Sequence, residues 1–254
     1  MNLQIEIENP KISVIIPTYN EEENIKRTLL AIKNQQTEIP YEIIVIDGGS
    51  TDNTLKIAKN YAKVYDSPKK GKVNQLNYII QYLQSDLFLF LDADTLIDPS
   101  FIQKIYTLFD SDEHLFACSA RYKYYDRRIV SFKIGSLKLT ITDYFFQNFL
   151  SHAWYFFKDL FGYPELSGCN IAIRKNIFLK VGKFKQPPNS LGIDRVLSDS
   201  ILYYIKKIRK GKVKTLNFLS VLTSGRHLSV ERSLKRINQY VREKETYRQL
   251  VKST

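Results

Sequence analysis

The sequence predicts an α/β protein with a mixed, mainly parallel sheet between helices. Three observations carry this. Ile12 to Pro17 (ISVIIP) and Tyr41 to Asp47 (YEIIVID) are short apolar, β-branched runs closed by turn residues, as buried parallel strands are. Between them Ile25, Thr28, Leu29 and Ile32 fall on one helical face, giving the order strand, helix, strand. A further apolar run, Leu87 to Leu91, ends on Asp92 and Asp94.

After the second strand comes Asp47-Gly48-Gly49-Ser50-Thr51-Asp52, where Ser50, Thr51 or Asp52 can cap a helix carrying Leu55, Ala58 and Ala62. Val73, Leu76, Ile80 and Leu83 mark a third helix before the strand at Leu87 to Leu91. Such alternation implies a sheet covered on both faces. From about Leu115 a second half begins, with aromatic-rich helical material expected from Leu139 to Phe161 and a strand near Asn170 to Arg174. A helix from about Val196 to Ile208 is expected to place Leu197, Ile201, Ile205 and Ile208 on one face. No Gly-, Ser- or Pro-rich linker divides the chain, so residues 1–254 read as a single domain. Its parts are a first half over about 10–114, a second over about 115–228 and a C-terminal helix over 229–254.

With 44% hydrophobic and 25% charged residues in 254, the composition is that of a globular protein with a substantial core. The start, MNLQIEIENPKISVIIP, lacks the basic-then-apolar order of a signal peptide. No uncharged apolar run reaches the ~18 residues of a membrane span. The expectation is a cytoplasmic chain. Cys118 and Cys169 fit neither a zinc knuckle nor a disulfide framework and read as free thiols. A net charge of +12 attracts polyanions, among them nucleic acid, an anionic membrane face and nucleotide phosphates. No helix-turn-helix, zinc finger, RNP motif or Gly/Arg tract favours nucleic acid.

In parallel sheets, ligands bind beyond the carboxyl ends of the strands. Three polar clusters are expected to share that rim: Thr18-Tyr19-Asn20-Glu21 after Pro17, Asp47-Gly48-Gly49-Ser50, and Asp92-Ala93-Asp94. Residues i and i+2 of a strand point the same way, so the carboxylates of Asp92 and Asp94 converge. Hard divalent cations favour such oxygen ligands, and Mg²⁺ is typically held by one or two carboxylates together with substrate phosphates. The bland alternative is that the two acids open a turn or cap the helix beginning near Pro99. Lys72, following Gly71 at a helix N-terminus, is placed to favour an anion, or is simply a solvated lysine.

SVIIPTYNEEENI (13–25), EIIVIDGGSTDNT (42–54), GKVNQLN (71–77), LFLDADT (89–95) and SGCNIAIRK (167–175), in this order, resemble glycosyltransferase family 2. The resemblance implies the nucleotide-sugar-binding GT-A fold, with a donor-binding first half and an acceptor-binding second half. It implies metal-dependent, inverting transfer of a sugar from a UDP- or GDP-linked donor, with Asp92 and Asp94 holding Mn²⁺ or Mg²⁺. Asp47 is then expected to accept hydrogen bonds from the nucleoside, in a pocket with Pro17, Thr18, Tyr19, Glu21, Gly48, Asn77 and Ala93. Asp47 closing its own strand, and Asn77 facing the core boundary, are the structural alternatives. TSGRH (223–227) looks like part of the acceptor half, where Arg226 suits diphosphate recognition and His227 is a candidate third metal ligand. Ser198-Asp199 falls where similar enzymes carry an acidic pair at a helix start. Asp199 is therefore the expected general base and Asp194 the runner-up, although Ser198 departs from the pattern.

The acceptor is expected to be a saccharide or a polyprenyl-linked molecule, offering a hydroxyl or a lipid-linked phosphate. ITDYFFQNFLSHAWYFFKDLFGY (141–163) and the C-terminal helix, with Arg232, Lys235, Arg236, Arg242 and Lys244, can meet an anionic membrane peripherally. Packing of those rings inside the protein is the alternative. The Gln/Arg-x-x-Arg-Trp motif of the family's processive synthases does not occur, which favours single-residue transfer. Competing classes are a nucleotide-sugar-binding regulator without turnover and a nucleic-acid-binding protein. A nicotinamide-dependent dehydrogenase is disfavoured because the first strand ends in PTYNEEEN in place of G-x-G-x-x-G.

Overall fold

In the computed structural model, the described residues are 7–126, 129–134, 137–142, 164–187, 192–226 and 249–252, with backbone alone for 129–134 and 137–142. Strands β1 (Ile12–Thr18), β2 (Tyr41–Asp47), β3 (Lys63–Asp66) and β4 (Leu87–Leu91) alternate with helices α1 (Ile25–Lys33), α2 (Thr54–Ala58) and α3 (Lys72–Ile79). Helix α4 (Phe101–Asp110) leads to β5 (Leu115–Tyr124), and β6 (Ile129–Ile134) and β7 (Leu137–Thr142) follow. The described chain resumes with β8 (Asn170–Arg174), α5 (Lys175–Lys180), α6 (Ile193–Ile208) and β9 (Lys212–Thr223).

Seven strands form one sheet in the order β3-β2-β1-β4-β8-β5-β9. β1 to β4 are mutually parallel where they pair, β8 runs antiparallel between β4 and β5, and β9 lies parallel to β5. The sheet is mixed and mainly parallel, as the sequence predicts. β1 and β4 pair Ile12 with Leu87 and Ile15 with Phe90, which brings the two strand ends to one rim.

The period of two in β4 divides the core. Leu87, Leu89 and Leu91 join the layer of Val14, Ile16, Leu29, Phe101 and Ile105 under α1 and α4. Phe88 and Phe90 enter the opposite layer with Ile15, Leu76, Ile79, Phe178 and Leu197. There Phe90 meets Phe184 edge-on, 4.9 Å between ring centroids. Both cysteines are buried free thiols, and burial pushes Cys169 up to about 12.

One expected element differs. The helical reading from Leu139 to Phe161 fails at its start, because residues 139–142 lie in β7, paired antiparallel to β6. The cause is in the residues: Leu137-Lys138-Leu139-Thr140-Ile141-Thr142 alternates apolar and polar with period two, the pattern of a strand. Residues 143–161 lie outside the described residues. The last long helix starts at Ile193, earlier than the expected Val196. Of the predicted C-terminal helix over 229–254, only 249–252 is described; it is helical, with Val251 packed on Val196. No helix among the described residues is long and apolar enough to cross a membrane.

The turn from α6 into β9 depends on Gly211, at φ 101° with the Phe116 ring where a side chain would stand. A Cβ there would lie 2.2 Å from the ring. Gly211→Ala is expected to destabilise the fold by about 2 kcal/mol, from left-handed strain and overpacking. A lowered urea midpoint with an unchanged m-value checks this.

Candidate active site

The rim begins with two loops that interlock. After β1, Asn20 adopts φ 54°, and its side-chain oxygen accepts from Thr51 N at 2.8 Å while its own N–H donates to Ser50 Oγ at 2.9 Å. Glu21 N donates to Thr54 Oγ1, Glu22 N to Asp52 Oδ2, and Asn53 N to Glu22 Oε2. These short polar side chains satisfy loop amides that no strand or helix can pair.

Asp47 organises the second loop from below. It is 1% exposed, and its carboxylate accepts from Thr18 Oγ1, Gly49 N, Ser50 N and Ser50 Oγ at 2.6–3.0 Å. These donors occupy both oxygens. The next residue, Gly48, lines the cleft, and Asp47 lies beneath it.

Gln75 is a residue that the sequence reading missed. It is buried, and its Nε2 donates to Thr18 O and to Ile46 O, each at 2.8 Å, tying the ends of β1 and β2 together. A Cβ on Gly48 would stand 3.1 Å from the same amide, so a side chain there would press on the hydrogen-bonded Gln75. The usable signal was a polar residue on the buried face of α3 between Leu76 and Gly71. Asn77 serves elsewhere: it donates to Phe184 O at 2.7 Å and accepts from Phe184 N at 3.1 Å, clasping α3 to the chain after α5. It is not among the cleft residues.

The cleft above these loops has a volume of about 510 Å³. It is lined by Pro17, Thr18, Tyr19, Glu21, Gly48, Lys72, Asp92, Ala93, Asp94 and Arg226, all predicted site residues, and by Lys70, Gly71 and Gln75. Tyr19 is half exposed at the mouth, with the Lys70 ammonium 5.5 Å from its ring centroid. From beneath, Thr28 of α1 donates to Ala93 O at 2.8 Å and fixes the loop that carries the two aspartates.

Each aspartate meets a protein cation. Lys72 donates to Asp92 and reaches Gly168 O at 3.4 Å. Burial opposes charge on Lys72, but the Asp92 carboxylate outweighs it and holds the ammonium above its ordinary range. Asp94 accepts from Thr223 Oγ1 at 3.2 Å and lies 3.6 Å from Arg226 Nη2, which is also bonded to Glu21. Burial, with the neighbouring Asp92 charge, pushes the Asp94 carboxyl up to about 6 despite the Arg226 guanidinium.

Asp194, in the first turn of α6, sits against Gly168: a Cβ at 168 would stand 3.0 Å from its Oδ2. Burial pushes its carboxyl up, and nearby Lys72 pulls the other way. Ser198, one turn on, holds the same face by accepting from Leu166 N and donating to Asp194 O. Asp199 lies about 140° around the helix from Asp194 and is half-buried on another face. His227 lies outside the described residues.

The family model described as Glycosyl transferase family 2 matches residues 13–182. The chain belongs to this family. Its fold is the GT-A fold, shared with mannosyltransferase PcManGT from Pyrobaculum calidifontis, solved with GDP-Man and Mn²⁺ (TM-score 0.61, 19% identity, 85% of this chain and 57% of that one). Staphylococcus aureus TarS 1-349, solved with UDP-GlcNAc, is similar to the same extent (TM-score 0.61, 20% identity, 86% and 60%). In sequence, the chain is 30% identical over 177 residues to the O-antigen chain rhamnosyltransferase RfbN of Salmonella typhimurium, covering 61% of this chain. The chain spans 56% of the length of RfbN, and 36% of YfnE, an uncharacterized glycosyltransferase of Bacillus subtilis.

Gln75→Ala is expected to cost about 1–3 kcal/mol through two buried carbonyls that lose a donor. Urea unfolding measures this, and a conservative Gln75→Glu, which brings an acceptor in place of the donor, is expected to be no better.

Proposed function

We propose that this family 2 chain transfers a sugar, with inversion and one residue at a time, from a nucleoside-diphosphate donor to an acceptor hydroxyl. The observation that carries the reading is the convergence of Asp92, Asp94, Lys72 and Arg226 on a single cleft whose wall is the Gly48 loop. Three basic side chains, Lys70, Lys72 and Arg226, there face three acids, Glu21, Asp92 and Asp94, so a diphosphate entering the cleft would bring negative charge that a cation beside the acids would offset.

Mn²⁺ or Mg²⁺ fits this donor set, because the carboxylates of Asp92 and Asp94 face one cleft and hard cations favour such oxygen ligands. Among the described residues no group of three or more His, Cys, Asp or Glu could hold a metal, so phosphate oxygens of the donor would complete the shell. Asp92 and Asp94 would hold the ion, which when bound neutralises the departing diphosphate. Binding of Mn²⁺ with GDP-Man by PcManGT supports this part of the reading.

For the base, the geometry favours Asp194 over Asp199. Asp194 is not itself among the cleft-lining residues, but it stands beside Gly168, whose carbonyl Lys72 reaches from the cleft. Burial pushes the Asp194 carboxyl up, which makes the carboxylate a stronger proton acceptor. In the proposed step Asp194 takes the acceptor hydroxyl proton, the oxygen bonds to the anomeric carbon, and the bond to the diphosphate on the opposite face breaks. Lys72 and Arg226 then balance the charge left on the diphosphate. PcManGT and TarS were solved with GDP- and UDP-linked sugars, and both nucleotides stay in the proposal. The acceptor is a saccharide or polyprenyl-linked molecule, and the charge of +12 suits approach to an anionic membrane.

The test is product analysis with a panel of UDP- and GDP-sugars and Mn²⁺. Asp194→Asn is expected to lower kcat about 100-fold or more with donor affinity kept, whereas Asp199→Asn stays within a few-fold of wild type. Asp94→Ala is expected to abolish transfer in a folded protein. Donor binding without any transfer by the wild-type chain would replace this reading with that of a regulator.

A further inference from the structure

Arg226 reaches the cleft on a short strap, Ser224-Gly225-Arg226, which follows Thr223, the last residue of β9, and has no strand or helix of its own. Three contacts from the end of β5 hold it. Tyr125 N donates to Thr223 O at 3.1 Å. Asp126 Oδ2 accepts from the Ser224 hydroxyl and, at 3.1 Å, from Gly225 N. Ser224 Oγ in turn accepts from Arg226 N at 3.2 Å, so the carboxylate fixes the turn from which the guanidinium departs. Tyr125 is itself anchored to α1, its hydroxyl 3.4 Å from Asn24 Oδ1 and its ring 5.0 Å from the Arg27 guanidinium carbon.

We propose that Asp126 is a positioning residue for the donor: it aims Arg226 across Glu21 and Asp94 at the place of the diphosphate. The inference rests on the donor reading above and adds to it a residue that touches neither donor nor acceptor. The physical reason is that a guanidinium recognises phosphate by direction as well as charge. A carboxylate that gathers two donors of the preceding turn removes the freedom that would blur that direction. Arg226 is 205 residues from Glu21 in sequence, so its placement depends on such local fixing.

Calorimetric binding of UDP and GDP in the presence of Mn²⁺ to the full chain tests this. Asp126→Ala is expected to weaken the diphosphate that the wild type binds by about tenfold, while Asp126→Asn, whose side-chain oxygen still accepts both bonds, recovers most of the affinity. In an Arg226→Ala background, Asp126→Ala is expected to add no further loss, because it acts through Arg226. Ser224→Ala removes one of the two donors, moves affinity the same way, and serves if alanine at 126 does not fold. Wild-type affinity in Asp126→Ala, or losses that add in full with Arg226→Ala, overturns the positioning role and leaves the donor site standing. A wild-type chain that binds neither diphosphate overturns the donor reading and this inference together.

Discussion

Opposite charges held a few ångströms apart at one rim are the constraint on which the rest of the molecule depends. Asp92, Asp94 and Glu21 converge on a partly buried cleft, and their mutual repulsion is balanced by Lys72 and Arg226. At an effective dielectric of about 20, two unit charges 4 Å apart interact by about 4 kcal/mol, a sizeable fraction of a domain's stability. The acids can stay together because the cations come from elements as distant as α3 and the strap after β9. On the proposed reading, a donor diphosphate and its metal ion would enter this balance of charges.

The scaffold keeps this balance by rigid means. β4 is buried on both faces, with leucines toward one helical layer and phenylalanines toward the other, so its end cannot slip by one residue without exchanging the two layers. The Thr28 bond to Ala93 O and the Gln75 bonds to Thr18 O and Ile46 O pin the three strand ends at one level. Loop side chains complete the rim where the backbone has no ladder to join.

The part of this legible in the sequence was the part governed by period and by strand ends. Apolar runs closed by polar clusters located β1, β2 and β4; Asp92 and Asp94 do line one cleft, but from the turn beyond β4, where the strand rule does not apply and Ala93 faces the cleft as well. Long-range geometry was less legible. That Asp47 gathers four donors could not be read from the sequence, because those donors are placed only by the folded turn. Gln75, for which no role was expected, and Asn77, two residues on, part company because α3 turns Gln75 toward the strand ends and Asn77 toward Phe184. The stretch from Leu139 was read by its aromatic content, which masked the period-two pattern that puts residues 137–142 in β7.

The bond from Thr223 to Asp94 joins residues 129 apart in the chain. Closing so long a loop is slow compared with forming local contacts, and it must follow the docking of β9 on β5. During synthesis, then, the acids emerge well before their balancing guanidinium, and the cleft matures only when the last strand of the sheet is laid down. On the proposed reading, a donor would find its full set of charges only once the sheet is complete.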